Sequence, residues 1–122
     1  MSLDSIPHAT YASVAIKRLE RLAEEHKELV KLLTDALIDK YPEPASLRLG
    51  WFGIQYYNQH FTGSDHARYK DKTDAQRDKG IAKGLALVRP IFRHRGWRFS
   101  TKKHPECKRI HLVTFVPLKT KN

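Results

Sequence analysis

The stretch that decides the fold runs from Trp97 to Val116. It reads WRFST at residues 97–101, KKHPECK at 102–108 and RIHLVTFV at 109–116. The first and third segments are rich in the aromatic and β-branched residues that favour strands, and the basic loop between them suits an antiparallel connection. Apolar residues stand on both parities of the third segment, which is typical of a central strand covered on both faces. We therefore predict a terminal hairpin whose second strand is central.

A helix is predicted directly before this hairpin. It begins near Thr73, which has the spacing of a capping box with Gln76. Pro90 lies inside the helical pattern, so we expect a kink or an end near Arg89. Gly96 is a suitable C-terminal cap if the helix continues that far. The apolar stripe of this helix consists of Ile81, Leu85, Val88 and Phe92.

Two glycines, Gly80 and Gly84, lie one turn apart in this helix. A residue without a side chain allows another backbone to come close, and the candidates are the first helix of the chain and a sugar–phosphate backbone. Close helix packing is the more common reason, and we favour it. The segment is not a phosphate-binding P-loop, because the spacing differs and no strand leads directly into it.

A long N-terminal helix is predicted from about Thr10 to Tyr41. Apolar residues recur there at intervals of three and four, and Pro42 ends the pattern. About 32 helical residues would span about 48 Å, which exceeds the width of a domain whose expected radius of gyration is about 14 Å. We favour a bend near Thr34 and Asp35. The alternative is a projecting helix that packs against a second copy, which would make the protein a homodimer.

The segment between the two helices divides into two parts. Residues 47–57 (LRLGWFGIQYY) are rich in strand formers, and their apolar parity changes at Gly50 or Gly53, as at a β-bulge. Residues 58–72 show no periodicity and predict a polar loop with at most a short helical turn. The predicted order of elements is therefore helix, strand, helix, strand, strand.

This order predicts a single α+β domain over residues 1–122, with the long N-terminal helix and the second helix packed on a small three-stranded antiparallel sheet. A winged-helix arrangement is the alternative, with the second helix as recognition helix and Lys102–Lys108 as the wing. The length of the predicted first strand and the missing helix in 58–72 count against it.

Positive charge is concentrated in the C-terminal half. Residues 1–65 contain seven Lys/Arg and nine Asp/Glu, whereas residues 66–122 contain sixteen Lys/Arg and four Asp/Glu. Such asymmetry indicates contact with a polyanion. The candidate phosphate-binding residues are the cations of the second helix and the hairpin. They are Lys79, Lys83, Arg93, Arg95, Arg98, Lys102, Lys103, Lys108 and Arg109.

Three aromatic residues are candidates for stacking on bases: Trp97, Trp51 and Tyr57. For Trp97 we favour a core position, because aromatic side chains dominate core burial. Arg98 would then face away from Trp97, because neighbouring residues of a strand point to opposite faces.

Two clusters raise the question of a metal, although we expect neither a metal nor another cofactor. The first is His104, Cys107 and His111, which lacks the paired-cysteine knuckle of structural zinc sites. The second is His60, Asp65 and His66, of the residue types found in metal-dependent nucleases. We also predict no catalytic residue, because Cys107 lacks a positioned base.

Three functions remain open from the sequence. We favour a non-enzymatic nucleic-acid-binding protein, for DNA or RNA. The second is a small inhibitor or adaptor that docks its basic face on an acidic protein surface, for example of a nucleic-acid-handling or host-defence complex. A small metal-dependent nuclease is the third. No apolar run approaches the about 20 residues of a membrane span. With one cysteine and no signal peptide, we expect a cytoplasmic location.

Overall fold

A computed structural model describes residues 11–118, apart from the side chains of residues 11–13 and Asp65. The helices in this range are α1 (Tyr11–Glu25), α2 (Lys27–Lys40), α3 (Gly50–His60), α4 (Ser64–Tyr69) and α5 (Thr73–His94). The strands are β1 (Ala45–Arg48), β2 (Trp97–Lys103) and β3 (Ile110–Pro117). None of the helices described is long and apolar enough to cross a membrane.

The three strands form one antiparallel sheet in the order β1-β3-β2. The predicted α+β class and the predicted hairpin are confirmed, and β3 is the central strand. Double coverage of β3 is only partly correct. Val113 and Phe115 are buried on the face toward α5, whereas Leu112 and Thr114 on the other face are half-buried.

Helix α5 is confirmed, with its predicted apolar stripe in the core. Pro90 neither ends the helix nor interrupts it before His94. Its ring is exposed, so it displaces no core side chain. Gly96 follows the helix with φ of 86° and its N–H donates to the carbonyl of Arg93. The predicted glycine cap is therefore correct, because this left-handed conformation favours glycine.

The predicted capping box is wrong. The residue that precedes α5 is Lys72, and no side chain caps the N-terminus of the helix. The Gln76 amide instead donates to the carbonyls of Tyr69 and Lys70, at 2.8 and 3.1 Å. It thereby ties the end of α4 to the start of α5, so a short helix occupies part of the predicted loop.

The predicted strand at 47–57 is also wrong over most of its length. Only Ala45–Arg48 is a strand, and α3 begins at Gly50. The residues of α3 that become buried are Gly53, Tyr56 and Tyr57, which are spaced as one face of a helix. This face packs on α5, so tertiary packing overrides the strand propensity of the aromatic residues.

The N-terminal helix is broken, but at His26 rather than near Thr34 and Asp35. Thr34 lies inside α2, where its hydroxyl donates to the Val30 carbonyl at 2.7 Å. At the break, His26 Nδ1 lies 2.7 Å from the Tyr56 hydroxyl of α3. The predicted start at Thr10 lies outside the described residues.

The observed topology removes both objections to the winged-helix alternative. The first strand has four residues, and 50–60 and 64–69 supply helices where a strand and a loop were predicted. From α2 onward the order is helix, strand, three helices, strand, strand, with β1 beside β3.

Candidate functional site

Helix α5 and strand β2 run side by side in opposite directions. The tight turn at Gly96 reverses the chain, so Arg89 lies over the ring of Phe99, 5.3 Å from its centroid. Further along, Lys103 Nζ lies 2.6 Å from a carboxylate oxygen of Asp78. The start of α5 therefore lies beside the tip of the hairpin, and its end beside the start of β2.

This arrangement divides the predicted basic residues into separate groups. The turn cluster, at the end of α5, consists of Arg93, Arg95 and Arg98. The tip cluster, at the hairpin loop, consists of Lys102, Lys103, Lys108 and Arg109. All seven side chains are exposed. The α5 positions beside the two clusters, Asp78 and Arg93, are about 22 Å apart along the helix axis.

Lys79 and Lys83 form a third group on the outer side of α5. Lys79 is exposed, with Nζ 5.5 Å from the ring centroid of Tyr69 in α4, and Lys83 is half-buried. Sequence reasoning missed three exposed cations in and after α4, because they fell in the predicted loop. They are Arg68, Lys70 and Lys72. Ala82 and Ala86, which have small side chains, are exposed on α5.

An open groove lies between α5 and the hairpin. Its volume is about 320 Å³, which is within the usual range of ligand sites. Its lining residues include three cations, one carboxylate and an apolar floor. They are Asp78, Ile81, Ala82, Leu85, Arg89, Thr101, Lys102, Lys103 and His111. We call this space the α5–hairpin groove.

The groove begins where the inner face of the sheet changes from apolar to polar. The β2–β3 pairs on this face are, in order, Phe99–Phe115, Thr101–Val113 and Lys103–His111. The first pair packs against Phe92 of α5 in the core. Polar side chains in core-facing positions are costly unless they are bonded or functional, so the buried His111 of the third pair marks the site.

His111 is the most unusual residue of the groove. It is only 6% exposed, and its Nδ1 has no hydrogen-bond partner among the described residues. Burial lowers the pKa of His111 below its ordinary 6.5, Asp78 acts in the opposite direction, and Lys103 adds to the lowering. The ring is therefore buried and held toward its neutral form, and its Nδ1 has no hydrogen bond to offset its burial.

The three aromatic candidates have different positions. Trp51 is 62% exposed at the start of α3, so its ring is available for stacking. Trp97 is half-buried, packs against the core as favoured, and contacts Tyr41 edge-on at 4.9 Å. Tyr57 is completely buried, so the prediction that it stacks on a base is wrong.

The candidate metal clusters do not assemble within the part of the chain that the structure describes, where no three His, Cys, Asp or Glu side chains are grouped as metal ligands. His60 stacks on Tyr56, whereas His66 lies beside Tyr57. The side chain of Asp65 lies outside the described residues. His104 Nδ1 accepts the N–H of Glu106 at 3.0 Å, which gives it a local role in the hairpin loop.

Comparison with protein-family models, curated proteins and solved structures gives no significant match for this chain.

Proposed function

We propose that the protein binds nucleic acid without acting on it chemically, through α5 and the β2–β3 hairpin. The observation that carries this proposal is the α5–hairpin groove, which is flanked by exposed cations at both ends. Lysine and arginine at such spacing fit the repeating phosphates of a nucleic-acid backbone. In the winged-helix alternative, α5 would be the recognition helix and Lys102–Lys108 the wing.

The exposed face of α5 has the composition expected of a helix that approaches a groove of DNA. Lys79, Ala82 and Ala86 are exposed on one face of α5, and Ala86 also lies beside Leu19 of α1. Lysine contacts phosphates or guanine, and alanine contacts the thymine methyl group. We therefore place double-stranded DNA before RNA, whose deep major groove side chains cannot read.

The test is a charge reversal with a matched control. Arg93, Arg95 and Arg98 are changed together to Glu, and binding to a fluorescent duplex is measured by anisotropy. In the control, the exposed Lys27, Lys31 and Lys40 of α2 are changed to Glu, which alters the net charge equally. We expect the first variant to lose binding at least about 100-fold and the control to lose much less. Equal losses would show that net charge alone is responsible.

Purification of the wild-type chain distinguishes an acidic protein partner from nucleic acid. If the chain copurifies with a stoichiometric protein that persists after nuclease treatment, and the free chain does not bind any nucleic acid, the basic face docks on a protein. That result would replace the present proposal.

A further inference from the structure

The α5–hairpin groove contains unneutralised charge next to an unbonded buried ring. Arg89 and Lys102 form no ion pair with any carboxylate that the structure describes, whereas Lys103 is already paired with Asp78. Arg89 is also held in place, because its guanidinium lies over the ring of Phe99. The groove therefore offers the charge of Arg89 beside the ring of His111, whereas Lys102 pairs with Leu112 on the other face of the sheet.

We propose that this groove is the seat of one phosphate group, with Arg89 supplying charge and the His111 imidazole donating a hydrogen bond to a phosphate oxygen. This inference rests on the proposed function and assigns one backbone phosphate to one place on the basic surface. The phosphate of a free nucleotide has the same chemistry and is the other possible source.

A phosphate accounts for the features of the groove better than water does. Its oxygens only accept hydrogen bonds, and both guanidinium and imidazole N–H groups donate them. The volume of about 320 Å³ is roughly ten times that of one water molecule. The apolar floor of Ile81 and Leu85 lowers the local dielectric constant, which strengthens charge-assisted hydrogen bonds.

A salt-dependent affinity alone does not identify the seat, because every exposed cation contributes to it. The matched pair is therefore Arg89→Gln in the groove and Lys40→Gln on α2. Each removes one positive charge from an exposed side chain, and Lys40 does not line the groove. We expect Arg89→Gln to weaken oligonucleotide binding roughly tenfold and Lys40→Gln to weaken it by about twofold or less.

The direct readout is the ¹⁵N signal of the His111 ring in the full chain. Three probes are added separately: inorganic phosphate, adenosine monophosphate, and a short oligonucleotide without terminal phosphates. We expect the oligonucleotide to move the His111 signals in the wild type and much less in Arg89→Gln. The signals of His60, outside the groove, should remain in place.

The possible results separate the two proposals. If the oligonucleotide binds but leaves the His111 signals unchanged, or if Arg89→Gln and Lys40→Gln weaken binding equally, the phosphate seat is wrong and the proposed function stands. If inorganic phosphate or adenosine monophosphate moves the signals and no nucleic acid binds, the seat stands for a free nucleotide and the proposed function is wrong. If no probe has an effect, both are wrong.

Discussion

Gly80 of α5 lies directly against the backbone carbonyl of Gly53 in α3. A Cβ atom on Gly80 would overlap that carbonyl, and one on Gly84 would lie 2.8 Å from the ring of Tyr56. The two helices therefore approach more closely than any larger residue permits. This contact fixes the rotation of α5 about its axis, which turns Ile81 into the core and Lys79 toward solvent.

Substitution of Gly80 by alanine should destabilise the protein strongly. The added methyl group meets backbone rather than a flexible side chain, so the helices must separate. We expect a loss of at least about 2 kcal/mol in the free energy of unfolding, even though alanine favours the helix. Urea denaturation followed by circular dichroism measures this loss.

Gly50→Ala is the matched control, because the nearest neighbour of its Cβ is the flexible side chain of Arg77, at 3.2 Å. We expect a change of less than about 1 kcal/mol. If the two alanine variants are equally stable, the close contact between α3 and α5 does not exist.

The same contact explains where sequence reasoning succeeded and failed. The hairpin and the apolar stripe of α5 follow from local patterns, and the glycines correctly predicted close helix packing. The partner was wrong, however: it is α3, which was itself predicted as a strand. Residues 50–57 carry strand formers, and their helical state depends on glycines about 30 residues away. A dependence on residues so far away in the chain leaves no pattern in a short stretch of sequence.

The candidate site was predicted in composition but not in arrangement. The cations of the hairpin were identified from charge alone, because exposed charge needs no packing partner. The importance of Arg89 and His111 in the groove was missed, because it depends on β2 returning along α5. Pairing of His111 with Lys103 becomes visible only when the register of the hairpin is known.

Removal of the carboxylate from the groove should strengthen binding. Asp78 is the only acidic residue that lines the groove in the described part of the chain. Asp78→Asn should raise the affinity for a duplex roughly two- to fivefold, because Lys103 becomes free to contact a phosphate. Stability should change by less than about 1 kcal/mol, because the pair is partly exposed.

Asp39→Asn provides the control for net charge, since Asp39 is exposed on α2. Anisotropy titrations of both variants give the comparison. An equal gain in affinity for Asp39→Asn would show that net charge, and not the groove, causes the change.

Stability should decrease on mild acidification. Burial lowers the pKa of His111, the charge of Asp78 raises it, and the charge of Lys103 lowers it further. Burial likewise lowers the pKa of His26, Glu25 raises it, and His60 lowers it further. Between the lowered values and 6.5 the unfolded chain binds more protons than the folded chain, so the free energy of unfolding falls as pH falls through 6.5.

Urea denaturation at pH 7.5 and at pH 5.5 measures this effect, with His111→Phe expected to show a smaller difference than the wild type. Unchanged or increased stability at pH 5.5 would contradict the buried state of the two histidines.

At high pH, Tyr56 should affect stability. Burial and then the charge of Glu28 raise the pKa of Tyr56. Stability should therefore also fall as pH rises above 10, because the unfolded chain loses this proton first.

The two tryptophans should respond differently to substitution. Trp97→Ala removes a ring that packs on the core and on Tyr41, and we expect a loss of about 2 kcal/mol in the free energy of unfolding. Trp51 is mostly exposed, so Trp51→Ala should cost less than about 1 kcal/mol. If Trp51 stacks on bases, its substitution should also weaken binding to single-stranded DNA. A larger loss of stability for Trp51 than for Trp97 would contradict their positions in the fold.

The salt dependence of nucleic-acid binding tests the central claim most directly. The dissociation constant for a duplex is measured from about 50 to about 200 mM salt, for the wild type and for a variant with glutamine at all four positions of the tip cluster. We predict a steep linear plot of log affinity against log salt for the wild type. The variant should have a slope shallower by about 0.9 for each phosphate that it no longer neutralises. Absence of binding by the wild type, or identical slopes for the two proteins, would contradict the account.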